Sequence, residues 1–128
     1  MDPNIQRAIS RPGTINITTM GRLSGAPRRI EIVYHVFGGR IYISGVPNAH
    51  HKRAWLANLE ANPAMTFHLK GTVAADLPAT ARVITDPAER REVLEQVARV
   101  WRRDPETMIQ HSPLIEVTIP GYQVAAAA

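Results

Sequence analysis

The sequence contains no cysteine, which excludes disulfides, thiolate-held metals and cysteine nucleophiles. Aromatic residues make up only 5% of it. That leaves few platforms for stacking bases, so no nucleic-acid partner is expected. No apolar run approaches the roughly 18 residues a membrane span requires, and membrane association is not expected. The opening MDPNIQRAIS has neither an apolar secretory segment nor an evident amphipathic helix, so the expected location is cytoplasmic. Also missing are G-x-S-x-G, a P-loop, G-x-G-x-x-G and paired carboxylates. An enzyme built this way leaves its chemistry to a bound cofactor, and no residue is singled out as catalytic.

What is present fits one domain over residues 1–128, with 45% hydrophobic residues to supply a core. The net charge of +4 is unevenly spread. Residues 1–75 hold nine Lys/Arg against three acids, whereas residues 76–128 hold six against eight. The positive excess in the front half points to an anionic ligand there. Of five histidines only His50 and His51 are adjacent. Neighbouring residues do not share a face and no carboxylate lies nearby, so no metal site is expected.

Alternation of apolar and polar residues predicts strands at TINITT (14–19), RRIEIVYHV (28–36) and RIYIS (40–44), the last two joined by a Gly38-Gly39 hairpin. Ile30, Ile32, Tyr34 and Val36 share one face. Trp55, Leu56 and Leu59 predict a helix over HHKRAWLANLEAN, stopped by Asn62-Pro63, with His51, Lys52 and Arg53 in its first turn. Strands follow at AMTFHLKGTV and ATARVIT, separated by a loop AADLP. Asp86-Pro87 starts a helix whose buried face carries Val93, Val97, Val100 and Trp101, extended by Leu94 and Ala98. PLIEVTIP is a sixth strand, and the tail VAAAA carries no signal. The predicted class is mainly β (α+β): about six antiparallel strands closed into a small barrel, with two or three helices. His35 and His68 fall in strands as core or wall residues, and Trp101 and Tyr122 either pack or cover a pocket.

Two stretches carry chemistry. In TTMGRLSGAPRR, Gly21, Gly25 and Pro27 shape the backbone, Ser24 offers a hydroxyl, and Arg22 and Arg28 flank it. Exposed backbone N–H groups beside guanidinium forks suit a phosphate or carboxylate, although a solvated hairpin with surface arginines has the same composition. In SGVPNAHHKRAW, residues 44–55, a strand end runs through a loop into a helix start. A bound anion there would offset the unfavourable placement of cations at the positive end of the helix dipole. Asn58, one turn from Trp55, is a polar residue on an otherwise apolar face.

These motifs, TT.GR.SG.PR followed by W..NL.ANP within residues 14–70, resemble the deazaflavin-dependent oxidoreductase (nitroreductase-like) family of mycobacteria and other actinobacteria. That family belongs with the pyridoxamine 5'-phosphate oxidase-like, FMN-binding type of split β-barrel. The resemblance implies a reductase that uses coenzyme F420, transferring hydride to an electron-poor small molecule such as an activated alkene, enone or quinone. FMN is the alternative cofactor, and a non-catalytic F420 carrier the alternative role. By position, Arg22, Ser24, Gly25, Pro27 and Arg28 match the segment that contacts the deazaflavin tail and ring edge. Ser44, Gly45, Val46, His51, Lys52 and Arg53 match the phosphate-receiving loop, and Trp55 and Asn58 line the coenzyme site. Leu23 replaces a lysine common in relatives, and a tyrosine-rich C-terminal segment is lacking. Tyr34, His68 and Tyr122 are the candidate proton donors. Split barrels of this kind imply a possible homodimer.

Overall fold

A computed structural model describes residues 1–122; the tail VAAAA lies outside them. The elements run α1 (Pro3–Ile9), β1 (Gly13–Met20), β2 (Pro27–Phe37), β3 (Arg40–Ser44), α2 (Ala54–Ala61), β4 (Ala64–Leu69), β5 (Ala75–Val83), α3 (Pro87–Trp101), α4 (Pro105–His111) and β6 (Leu114–Thr118). The six strands close into a barrel in the order β1-β2-β3-β6-β5-β4, every pair antiparallel.

Period-two alternation sends Ile15, Ile17 and Thr19 of β1, Met65, Phe67 and Leu69 of β4, and Ile115 and Val117 of β6 to buried positions. Small Ala79 and Ala81 on β5 complete this layer, and the Tyr34 ring meets Phe67 edge-on at a centroid distance of 5.2 Å. A second apolar layer lies outside the barrel. There Tyr42 of β3 and Leu114 of β6 bury against Val93, Leu94, Val97 and Ala98 of α3 and Met108 of α4. Arg90 ties this layer together by donating to the carbonyls of Ile109 (2.7 Å), Ser112 (2.8 Å) and Ile84 (3.3 Å). It thereby serves acceptors that the end of α4 would otherwise leave unpaired.

The structure differs from expectation at five places. Residues 3–9 form a helix, capped by Asp2, whose carboxylate accepts from the Asn4 (2.7 Å) and Ile5 (3.3 Å) N–H groups. A further helix, α4, starts at Asp104-Pro105 by the same device. β5 begins at Ala75, so all of AADLP but its first alanine is strand and the turn falls at residues 70–74. Pro78 is tolerated because this half of β5 pairs with β4 alone, while the other half, Thr80–Val83, pairs with β6. α2 begins at Ala54, which leaves His51 and Lys52 in the preceding loop and Arg53 at the N-cap. The Asn48 carboxamide oxygen accepts the N–H groups of His50 (3.0 Å) and His51 (3.2 Å), holding a turn that delays the helix. Val100, finally, is 59% exposed. The buried arc of α3 is centred between Val97 and Trp101, and at about 100° per residue Val100 lies just off its edge.

Candidate functional site

The β1–β2 connection is organised from within. Gly21 donates to the Ala26 carbonyl (2.8 Å), Gly25 donates to the Gly21 carbonyl (2.8 Å), and the Ser24 hydroxyl accepts the Ala26 N–H (3.1 Å). Gly25 holds φ at 69°, a region that side-chain-bearing residues rarely enter. A Cβ on Gly21 would fall 2.7 Å from Ser24 Oγ, so the bare glycine lets the loop fold tightly. The loop is then pinned from outside. Asn58 of α2, 4% exposed, accepts the Arg22 N–H at 3.1 Å and donates to Thr19 Oγ1 at 3.1 Å. The amide on the apolar helix face thus has its partners, and its work is to fix the loop against the barrel.

Between loop and helix lies a cavity of about 290 Å³. Arg22, Ser24, Arg28, Trp55 and Asn58 line it, all expected, together with Thr19, Gly21, Leu23, Ile30 and Ala54. Alternation in TINITT carried a signal for Thr19, which points inward. Ile30 likewise lies on the apolar face of its strand. Gly25 and Pro27 do not line the cavity; they shape the loop and the start of β2. Leu23, at the loop tip, is 90% exposed.

A second cavity, about 330 Å³, abuts the same first turn of α2 from its other side. His51, Lys52 and Arg53 line it, joined by Asn48, His50, Leu56 and the end of α4 at Gln110 and His111. Nothing in the sequence links His111 to this loop; the link is the Asn48 N–H donating to the His111 carbonyl (3.2 Å). Arg53 folds back over the strand end, donating to the Val46 carbonyl (2.5 Å), and its guanidinium lies where a Cβ on Gly45 would come within 2.9 Å. Burial holds its pKa below the usual guanidinium value. Ser44, 2% exposed, spends its hydroxyl on the Pro113 carbonyl at 2.7 Å. Ser44, Gly45 and Val46 therefore act as a shelf for Arg53, and Lys52 is ion-paired with Glu60.

Among the described residues, no carboxylate lines either cavity. They meet at a helix N-terminus without a side-chain cap, whose first N–H groups have no intrahelical partner and carry the positive end of the dipole. One cavity is an apolar slot edged by two guanidinium groups; the other is cationic and imidazole-rich. Together they suit a flat ring bearing anionic groups. Among the described residues no three His, Cys, Asp or Glu side chains gather as a metal site. Nor is any helix among the described residues long and apolar enough to cross a membrane.

The candidate proton donors are not at these cavities. The Tyr34 hydroxyl donates to carbonyls of the α1 end, Ala8 (3.1 Å) and Ile9 (3.0 Å) among them, and burial pushes its pKa up to about 12. His68 bridges Thr18 (2.7 Å) and Asp76 (2.6 Å) across the barrel wall. Tyr122 donates to the Gly39 carbonyl at 3.1 Å. Trp101 packs edge-on against His35 with centroids 5.0 Å apart.

The fold recurs in solved structures. A conserved hypothetical protein of Mycobacterium tuberculosis superposes with a TM-score of 0.71 at 17% identity, covering 94% of this chain and 81% of that one. An F420-H2 dependent reductase gives 0.61 at 20% identity, covering 82% and 93%. A Listeria innocua protein of the pyridoxamine 5'-phosphate oxidase type gives 0.66 at 11% identity, covering 97% of each chain. At these identities the likeness shows the split-barrel fold. The sequence model of the F420H(2)-dependent quinone reductases, in contrast, matches residues 3–122, nearly the whole chain. The chain therefore belongs to the F420H(2)-dependent quinone reductase family and is an F420-dependent reductase.

Proposed function

We propose that this protein reduces an electron-poor small molecule, a quinone or an enone, with F420 held at the two cavities beside the first turn of α2. The observation that carries this reading is the pair of carboxylate-free cavities meeting at an uncapped helix N-terminus. When bound, the reduced deazaflavin supplies a hydride. Trp55, Ile30 and Ala54 provide apolar walls for a ring, and Arg22 and Arg28 hold its anionic groups by charge-assisted hydrogen bonds. Lys52 and Arg53, with His51 beside them, receive a phosphate. Gly25 and Pro27 set the loop, and Asn58 keeps it in register through Arg22 and Thr19. No acid among the described residues lines the first cavity, so water is assigned as the source of the proton that completes substrate reduction.

Fluorescence titration with F420 and, separately, FMN tests the reading. Micromolar or tighter F420 binding is expected, weakened roughly tenfold or more by Arg28→Ala, on the scale of a lost charge-assisted hydrogen bond. Tight FMN binding without F420 binding refutes the cofactor assignment. Binding of F420 without oxidation of its reduced form by a series of quinones and enones marks a carrier instead.

A further inference from the structure

A further cavity lies at neither of these places. It measures about 500 Å³ and lies where α1 meets the start of β1 and the β4–β5 turn. β1 leads from Gly13 in this cavity to Thr19 in the proposed ring cavity. Six residues at about 3.3 Å each place the two about 20 Å apart, at opposite ends of the barrel.

Its floor is core. Ile15, Tyr34 and Leu69 are 1%, 2% and 7% exposed, yet each borders the cavity. Its rim is cationic: Arg7 and Arg11 lie along the end of α1, and Lys70 faces them from the end of β4. No carboxylate among the described residues lines it. The cations differ in commitment. Lys70 is paired with Glu31 and donates to Asn16 at 2.8 Å, and Arg7 donates to Asn4, whereas the Arg11 side chain has no partner among the described residues. α1 is held in place independently of these charges, by the Tyr34 hydroxyl bonded to its terminal carbonyls and by Ile9, fully buried in the barrel. The volume lies in the range of small-ligand sites.

We propose that this end of the barrel is a second binding site, taking a small organic anion with an apolar body and one carboxylate or phosphate head. The apolar part lies against Ile15, Tyr34 and Leu69, and Arg11 receives the head with Arg7 and Lys70 at the rim. The site is separate from the coenzyme cavities and does not depend on the assignment made for them.

The test uses calorimetric titration with 4-phenylbutyrate, its neutral counterpart 4-phenylbutan-1-ol, phenyl phosphate and inorganic phosphate. The two organic anions are expected to bind, the alcohol at least tenfold more weakly, and inorganic phosphate not measurably. Arg11→Gln should weaken the anions by roughly tenfold, the scale of one hydrogen bond to a charged group. Gly13→Leu provides the second variant, because a Cβ there meets nothing within 4 Å and a larger side chain would fill the space. It should abolish anion binding while leaving the melting temperature and F420 affinity unchanged. Equal binding of alcohol and acid, absence of binding at millimolar concentration, indifference to both variants, or competition between 4-phenylbutyrate and F420 would each overturn the proposal.

Discussion

Replacing Asn58 with leucine removes the carboxamide that joins α2, β1 and the loop after it. Two hydrogen bonds of 3.1 Å are lost, and the Thr19 hydroxyl, 1% exposed, is left with no carboxamide to bond. Each bond contributes about 1 kcal/mol net, and an orphaned buried polar group costs a further 1–3 kcal/mol, so the substitution should destabilise by about 3–5 kcal/mol. Thr19→Val makes the complementary lesion, orphaning Asn58 Nδ2 at a cost of about 1–2 kcal/mol. In the double variant that pair is apolar on both sides, so the combined loss should fall short of the sum by about 1 kcal/mol. Urea unfolding provides the assay, with midpoints compared at an unchanged slope. F420 affinity should fall in both Asn58 variants, because the Arg22 N–H no longer has its anchor. Strict additivity, or a cost for Asn58→Leu below about 0.5 kcal/mol, would refute the idea that this amide holds the loop.

Other consequences are directly measurable. Gly45→Ala should lower F420 affinity with little change in melting temperature, since the added Cβ displaces only the flexible end of Arg53; a large stability loss would show that the shelf itself is strained. Arg90→Met should destabilise by about 2–4 kcal/mol in thermal unfolding, and Arg90→Lys should recover only part, because one ammonium does not span three carbonyls. His35 is 3% exposed with an unpartnered Nε2, and burial lowers its pKa from the ordinary 6.5. The unfolded chain therefore binds the proton more readily than the folded one. The stability this group contributes is complete above pH 6.5 and is lost as pH falls toward the lower folded value. His35→Phe should flatten this slope between pH 7 and 5 in urea midpoints, and an unchanged slope would assign it to other groups.

Much of the barrel was legible because β1 and the first half of β2 alternate and the Gly38-Gly39 pair marks a hairpin. The helices were less so, although their signal is uniform. Asp2-Pro3, Asp86-Pro87 and Asp104-Pro105 each set an N-cap carboxylate before a proline at the first helical position. Only the middle one precedes a long periodic stripe, and the seven-residue helices at either side offer too few turns to show a period. AADLP was misleading because proline reads as a breaker, while the one-sided pairing that admits Pro78 is a property of the closed sheet. At the candidate site, residues close in sequence were found together: the glycine-arginine loop, the loop before α2, Trp55 and Asn58. The contribution of His111 was not visible, since a return of the chain from α4 brings it there. Tyr34 and His68 showed the converse. Their residue types suggested proton transfer, but hydrogen-bond partners on α1 and on neighbouring strands give them structural duties.

The way the barrel closes has a kinetic side. β1 and β2 pair through a short turn along the whole length of β1, and β4 and β5 form a second local hairpin. The seams that join these pieces are distant in sequence. β1 meets β4 only from Asn16 to Thr18 against Thr66 to His68, and β3 meets β6 from Ile41 to Ser44 against Leu114 to Val117. Hairpins of this kind form in about 1–10 μs, whereas seams that span half the chain wait for loop closure. Folding should then be limited by zipping these two seams and a third, β5 against β6 from Thr80 to Val83, with the Thr18–His68–Asp76 bridge acting as the clasp on the shortest. Weakening that clasp would speed the reopening of a barrel whose hairpins remain intact.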